Sequence, residues 1–90
     1  MGKIAETIQE KLASGLEPTV LAVEDDSARH AGHGGARPGG ESHFNVTIES
    51  AAFRGLTPVA RQRLVHRLLA EELAGPVHAL SLTLRTPPTA

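Results

Sequence analysis

The sequence predicts one α+β domain over residues 1–90, with the element order α-β-β-α-α-β and a three-stranded mixed sheet packed against helices. Ninety residues, 40% of them hydrophobic, suffice for one small core but rarely for two. Two segments show the apolar spacing of a helix, and three show the alternation of a strand. Glycine and proline fall mostly between these segments, where turns are expected.

The first half of the chain predicts a helix and two strands. The helix has an apolar stripe, which consists of Ile4, Ile8, Leu12 and Leu16. Gly15 and Pro18 are expected to end this helix. Residues 19–26 are rich in β-branched side chains and predict the first strand. Residues 42–50 alternate clearly and predict the second.

The second half predicts a short helical turn, a long helix and a last strand. The turn spans residues 50–56 and closes at Gly55. Thr57 is a good N-cap, and the following helix is expected to run to about Leu73. Residues 77–85 then alternate as a strand, and residues 86–90 are expected to be a frayed tail.

The predicted topology brings four histidines to one edge of the sheet. A helical crossover returns the third strand parallel to the second, so both strands begin at the same edge. Residues 27–41 precede the second strand and predict a flexible loop rich in glycine and histidine. We therefore expect His30, His33, His43 and His78 to converge. His78 shares a face with leucines and is expected to be partly buried and fixed by packing.

Composition excludes several classes of function. Nine Lys and Arg against ten Asp and Glu leave no global positive charge that would attract a polyanion. The absence of cysteine excludes disulfides and any zinc or iron-sulfur site built from the chain's own thiolates. No nucleophile-base motif, Walker lysine or Rossmann fingerprint is present, which predicts a non-enzyme. The polar start and the lack of long apolar runs predict a cytoplasmic protein without membrane contact.

The residues alone leave the site open. A histidine on an apolar strand face is more often a hydrogen-bonded core residue than a ligand, and loop histidines are often only solvated. Three imidazoles, from His30, His33 and His78, would nevertheless suffice for an open zinc or copper site. Four arginines around the two later helices could contact nucleic-acid phosphates, namely Arg54, Arg61, Arg63 and Arg67. Their alternative interpretation is a solvated helix exterior with an Arg67–Glu71 pair.

Four short motifs stand out, namely SHF at residues 42–44, F-x-G at residues 53–55, R-x-R-L-V at residues 61–65, and GPVHALSLTLRTP from Gly75. Together they resemble the motifs of the BolA family, and the likeness covers nearly the whole chain. In the arginine motif, Gln62 stands where histidine is common, which removes one exposed imidazole.

The resemblance implies a class II KH-like fold and a heterodimer with a monothiol glutaredoxin that shares a [2Fe-2S] cluster. In such complexes the glutaredoxin cysteine and glutathione supply thiolates, and the BolA-like protein supplies histidine. His78 matches the family's near-universal ligand and His30 the loop ligand, with His33 as the alternative. The isolated chain is expected to be a monomer without cofactor. Relatives are also described as transcription regulators, which implies weak DNA binding through the four arginines.

Overall fold

The computed structural model describes residues 2–26 and 42–88. The elements are α1 (Lys3–Leu16), β1 (Val20–Asp25), β2 (His43–Glu49), a 3₁₀ turn (Ala51–Phe53), α2 (Pro58–Leu68), α3 (Ala70–Ala74) and β3 (Ala79–Arg85). The predicted loop at 27–41, with His30 and His33, lies outside the described residues, as do residues 1, 89 and 90. None of the described helices is long and apolar enough to cross a membrane.

The sheet has the predicted topology, with the strand order β1-β2-β3. β1 and β2 are antiparallel, with Val20 opposite Glu49. β2 and β3 are parallel, with His43 opposite Ala79. The parallel return follows from the helical crossover between these two strands. The α+β class and the mixed sheet are thereby confirmed.

The helices cover one face of the sheet, where the hydrophobic core lies. α1 lies against β1, and α2 lies against β3. The core consists of Ala5, Ile8, Leu12, Leu16, Phe44, Val46, Ile48, Phe53, Val65, Leu69 and Val77. On β2 the alternate residues lie on the other face and are half-buried, from His43 to Glu49. The period-2 pattern in the sequence therefore identified the buried face of the central strand.

The end of α1 lies where the sequence predicts it, and Gly15 has a second role there. The helix passes through Gly15, ends at Leu16, and is followed by Glu17 with a left-handed φ of 44°. A Cβ on Gly15 would meet Leu68 Cδ1 at 2.9 Å, so this glycine permits close packing of α1 on α2. The helix thus ends between Gly15 and Pro18, as predicted, and the missing side chain of Gly15 also serves a contact between helices.

The predicted long helix begins as expected but is divided. Thr57 Oγ1 accepts a hydrogen bond from the Ala60 N–H at 3.1 Å, which caps α2 before Pro58. Leu69, with φ −105° and ψ 20°, separates α2 from α3. The Leu69 N–H still donates to Val65 O at 3.0 Å, so the chain bends there while that helical bond persists.

Candidate functional site

The edge where β2 and β3 begin, here called the rim, contains the predicted ligand position. The Ser42 carbonyl accepts hydrogen bonds from the His78 N–H at 2.8 Å and the Ala79 N–H at 3.2 Å. Position 78 therefore adjoins the residue at which the chain returns from the 27–41 segment. The parallel strand orientation that the histidine hypothesis required is present.

The main chain of His78 is anchored by the hydrogen bond from its N–H to Ser42 O. Its side chain is exposed, whereas Val77 before it is only 4% exposed. The Val77 N–H donates to Glu72 O at 2.9 Å, which fixes the turn from α3. The alternation that half-buries the leucines of β3 starts at Ala79, so His78 lies before the strand and outside this pattern. The expectation of a partly buried ring was wrong for this reason.

His43 occupies the same rim but lies on the other face of the sheet from Phe44. Its ring is half-buried, and Nδ1 lies 3.1 Å from Ser42 Oγ. Ser42 itself is 2% exposed. This serine thus contacts the His43 ring through its hydroxyl and the His78 backbone through its carbonyl. The sequence pattern had placed His43 on the surface face and gave no indication of the serine contact.

The structure brings His43 and His78 to the rim and leaves His66 exposed on α2. His30 and His33 lie outside the described residues. Within residues 2–26 and 42–88, no group of three or more histidines or carboxylates is arranged to hold a metal ion. Of the two ligands named from the resemblance, His78 is the one that lies within the described residues.

The four arginines do not form one patch. Arg63 and Arg67 are exposed, whereas Arg61 lies about 200° around α2 from Arg63 and is half-buried. Arg61 Nε donates to Leu56 O at 3.1 Å, and its guanidinium lies 6.0 Å from the centroid of the Phe53 ring. Arg54 Nη2 donates to the carbonyl of residue 87 at 3.3 Å, beyond the end of β3. Only Arg63 and Arg67 remain as the outer basic face of α2.

Sequence reasoning gave no indication of a cluster of charged residues between α1 and α3. Lys11 Nζ lies 2.8 Å from Glu72 Oε2 and 3.3 Å from Glu71 Oε1. The hydrogen bond to Glu72 raises the pKa of Lys11 above its usual value. Glu71 therefore contacts Lys11, and the predicted pair with Arg67 is not formed, because the bend at Leu69 interrupts the helix between them. A pair sixty residues apart leaves no periodic signal in the sequence.

With this geometry in place, comparison with known proteins decides the family. A family model described as BolA-like protein matches residues 12–89. The chain belongs to the BolA family. BolA-like protein 1 of Homo sapiens is 47% identical over 87 residues, which are 97% of this chain and 61% of that protein. The solved BolA domain of SufE1 from Arabidopsis thaliana has a TM-score of 0.86 at 46% identity and covers 97% of this chain and 95% of that one.

BolA relatives carry names of more than one kind. A protein named DNA-binding transcriptional regulator BolA, from Vibrio cholerae, is 44% identical over 79 residues, which are 88% of this chain and 71% of that protein. The chain spans 61% to 62% of the length of several mammalian BolA-like protein 1 sequences that it matches. The BolA-like relatives are not named as enzymes.

Proposed function

We propose that this BolA-like chain binds a monothiol glutaredoxin and completes the ligand set of a shared [2Fe-2S] cluster. His78 is the ligand from the rim. His30 is the second ligand from the 27–41 segment, with His33 as the alternative. The role is accessory, in cluster trafficking or iron and redox regulation, and requires no catalytic turnover by this chain. The cytoplasmic location stays a prediction.

The observation that supports this proposal is the position of His78. A ligand shared between two proteins has to be reachable from the partner, and the His78 side chain is exposed. Its backbone is nevertheless fixed by the bond to Ser42 and by the buried Val77 before it. An accessible imidazole on an anchored main chain suits a ligand that meets a cluster carried by another protein.

The donor chemistry of this chain also fits the cluster. Imidazole replaces thiolate on one iron of Rieske centres, where it raises the reduction potential. The chain has no cysteine, so its contribution to a cluster would be nitrogen rather than sulfur. Glutaredoxin and glutathione would supply the thiolates, and the bound cluster would supply one-electron redox chemistry.

The experiment is to mix the purified chain with cluster-loaded monothiol glutaredoxin and record visible absorption and circular dichroism. We expect the spectra to change on mixing, and we expect His78→Ala to abolish that change. His66→Ala is the matched control, because His66 is also exposed but lies on α2. His30→Ala and His33→Ala in the same assay distinguish the two loop ligands.

Two outcomes would contradict the proposal. Identical spectra for His78→Ala and the unaltered chain would mean that His78 supplies no ligand. Stoichiometric zinc or copper binding by the chain alone, lost in the same variant, would instead favour a stand-alone metal carrier built from His30, His33 and His78.

DNA binding is the second candidate, and the name of the Vibrio cholerae relative favours it. The exposed Arg63 and Arg67 on α2 are the residues that would contact phosphates. Binding through two such contacts should be weak and should fall steeply with salt. Titration of a labelled duplex at two salt concentrations, with Arg63→Gln and Arg67→Gln, tests this function separately from the cluster assay.

A further inference from the structure

Within residues 2–26 and 42–88, no strand pairs with the outer edge of β3. β3 is the last strand of the sheet, and its pairing is with β2. The Ala79 N–H donates to Ser42 O, and Arg85 O accepts from the Ser50 N–H. Bonded residues alternate in a parallel ladder, so the N–H and C=O groups of the three leucines in β3 point away from β2. These leucines are Leu80, Leu82 and Leu84.

The residues of β3 itself provide none of the usual protection against strand addition. β3 contains no proline and no lysine, and its single charged residue, Arg85, pairs with Glu49 Oε2 at 3.0 Å. Among the described residues, none forms a hydrogen bond with the outward backbone groups of the three leucines. As far as the described part of the chain is concerned, the edge can accept one more strand.

A preformed cationic group lies beside the same edge. A groove of about 210 Å³ runs between the first turn of α2 and β3, and its lining includes Arg61, Leu82 and Leu84. Arg61 is fixed by its Nε bond to Leu56 O and by the Phe53 ring. No described residue accepts a hydrogen bond from its two Nη groups. A guanidinium fixed in this way is suited to bidentate binding of a carboxylate.

The local charge selects the class of partner. Arg54, Arg61 and Arg85 lie at this end of β3, and Glu49 is the carboxylate that pairs there with Arg85. We propose that the edge of β3 binds an extended acidic peptide segment of a partner protein, which adds a strand to the sheet and places a carboxylate on Arg61. The Arg61 end of this edge lies near Leu84, about 20 Å along the strand from His78.

The observations favour a peptide over the two other occupants of such an edge. The backbone of β3 offers alternating donors and acceptors that match another peptide backbone, whereas a phosphate chain can only accept. The two phenylalanines are buried, at 0% and 2% exposed, and offer no surface for base stacking. A second copy pairing through β3 would bring no carboxylate to Arg61, because β3 contains none.

The test uses a short synthetic peptide that alternates threonine with glutamate, and a matched peptide with lysine for glutamate. We expect the acidic peptide alone to slow amide hydrogen exchange at Leu80, Leu82 and Leu84, by at least about tenfold when the site is saturated. The Ala79 N–H, which already donates to Ser42, should change little. Arg61→Gln should weaken binding by about tenfold or more. Arg63→Gln, on the other side of α2, should leave it unchanged.

The exchange measurement keeps the proposal falsifiable even if Arg61→Gln perturbs the packing on Phe53. Equal binding of the two peptides, or binding without protection of the three leucine amides, would overturn it. Protection of the same amides by a single-stranded DNA oligonucleotide, and not by the acidic peptide, would assign the edge to nucleic acid. Protection that rises with protein concentration alone would assign it to self-association.

Discussion

The side chains proposed to bind partners are fixed in different ways at the two ends of β3. At the rim, His78 is fixed through its main chain, by the hydrogen bond from its N–H to Ser42 O, while its side chain is exposed. At the other end, Arg61 is fixed through its side chain, by the bond from Nε to Leu56 O and by contact with the Phe53 ring. The first end is anchored by backbone and the second by side-chain packing.

This difference predicts how each end responds to mutation. A residue anchored by backbone can lose its side chain without disturbing its neighbours, because the N–H remains. The position of Arg61, by contrast, depends on the buried Phe53 ring beneath it, which is part of the hydrophobic core. Substitutions at the rim should therefore separate function from stability, whereas substitutions under Arg61 should change both.

The largest effect is expected for Phe53→Ala. The Phe53 ring is 0% exposed and lies beneath the guanidinium of Arg61. Removing it should lower the free energy of unfolding by about 3–5 kcal/mol and release Arg61. Urea denaturation measures the first effect, and binding of the acidic peptide measures the second. A loss below about 1 kcal/mol would mean that this end of the domain does not depend on the ring.

Ser50→Ala is expected to have the next largest effect. Ser50 is 0% exposed; its hydroxyl donates to Leu16 O at 2.6 Å and accepts from the Ala52 N–H at 3.1 Å. Its loss leaves a buried carbonyl at the end of α1 without this donor, which should cost about 1–3 kcal/mol. Ser81→Ala, at an exposed position in β3, is the control. Similar unfolding midpoints for the two variants would show that the Ser50 bond contributes little.

The charged cluster between α1 and α3 predicts that the folded state loses stability at alkaline pH. The pKa of Lys11 is raised above its ordinary value of 10.5, chiefly by its hydrogen bond to Glu72. The stabilisation is therefore present below pH 10.5 and is lost as pH rises through the higher pKa of the folded state. The chain has no cysteine or tyrosine, and its other lysine is Lys3, so few other side chains titrate in this range.

Unfolding followed by circular dichroism from pH 9 to pH 12 measures this loss. Lys11→Met should be less stable than the unaltered chain at neutral pH and should show a flatter alkaline profile. Lys3→Met is the matched control and should keep the full decline. A decline of the same size in Lys11→Met would assign it to another group.

The smallest effect on stability is expected for His78→Ala, the substitution with the largest expected effect in the cluster assay. The side chain is exposed and the Ser42 bond uses its backbone, so the free energy of unfolding should change by less than about 0.5 kcal/mol. Urea denaturation checks this value. A loss of several kcal/mol would show that the ring is part of the folded core, and the contrast between the two ends of β3 would fail.

Much of the fold could be predicted because its signals are local. The alternation at residues 42–50 identified β2 and its buried face, and Thr57-Pro58 located the start of α2. The parallel return of β3 followed from handedness, which holds for nearly all such crossovers. These features depend on neighbouring residues or on general topology, and both are available from sequence.

The features that could not be predicted depend on contacts between residues that are far apart in the sequence or on where an element begins and ends. The end of α1 near Gly15 was predicted, but the contact of Gly15 with Leu68 was not, because Leu68 approaches it from another helix. The bend at Leu69 could not be predicted, because no proline or glycine lies near it in the sequence. His78 was expected to be half-buried because the alternation of β3 was extended one residue before the strand begins. Its position at the rim was predicted correctly, but its exposure depends on Val77 filling the core instead.

The Ser42 carbonyl accepts two hydrogen bonds, from the N–H groups of His78 and Ala79, and belongs to a buried residue. Through this carbonyl, the main chain of the exposed His78 is bonded to the residue that directly precedes the central strand. A carbon-13 label at that carbonyl would report binding at position 78, because its infrared frequency changes when the hydrogen bond from His78 changes. Occupancy of the surface could then be followed from inside the protein, in a spectral region where a coloured partner does not interfere.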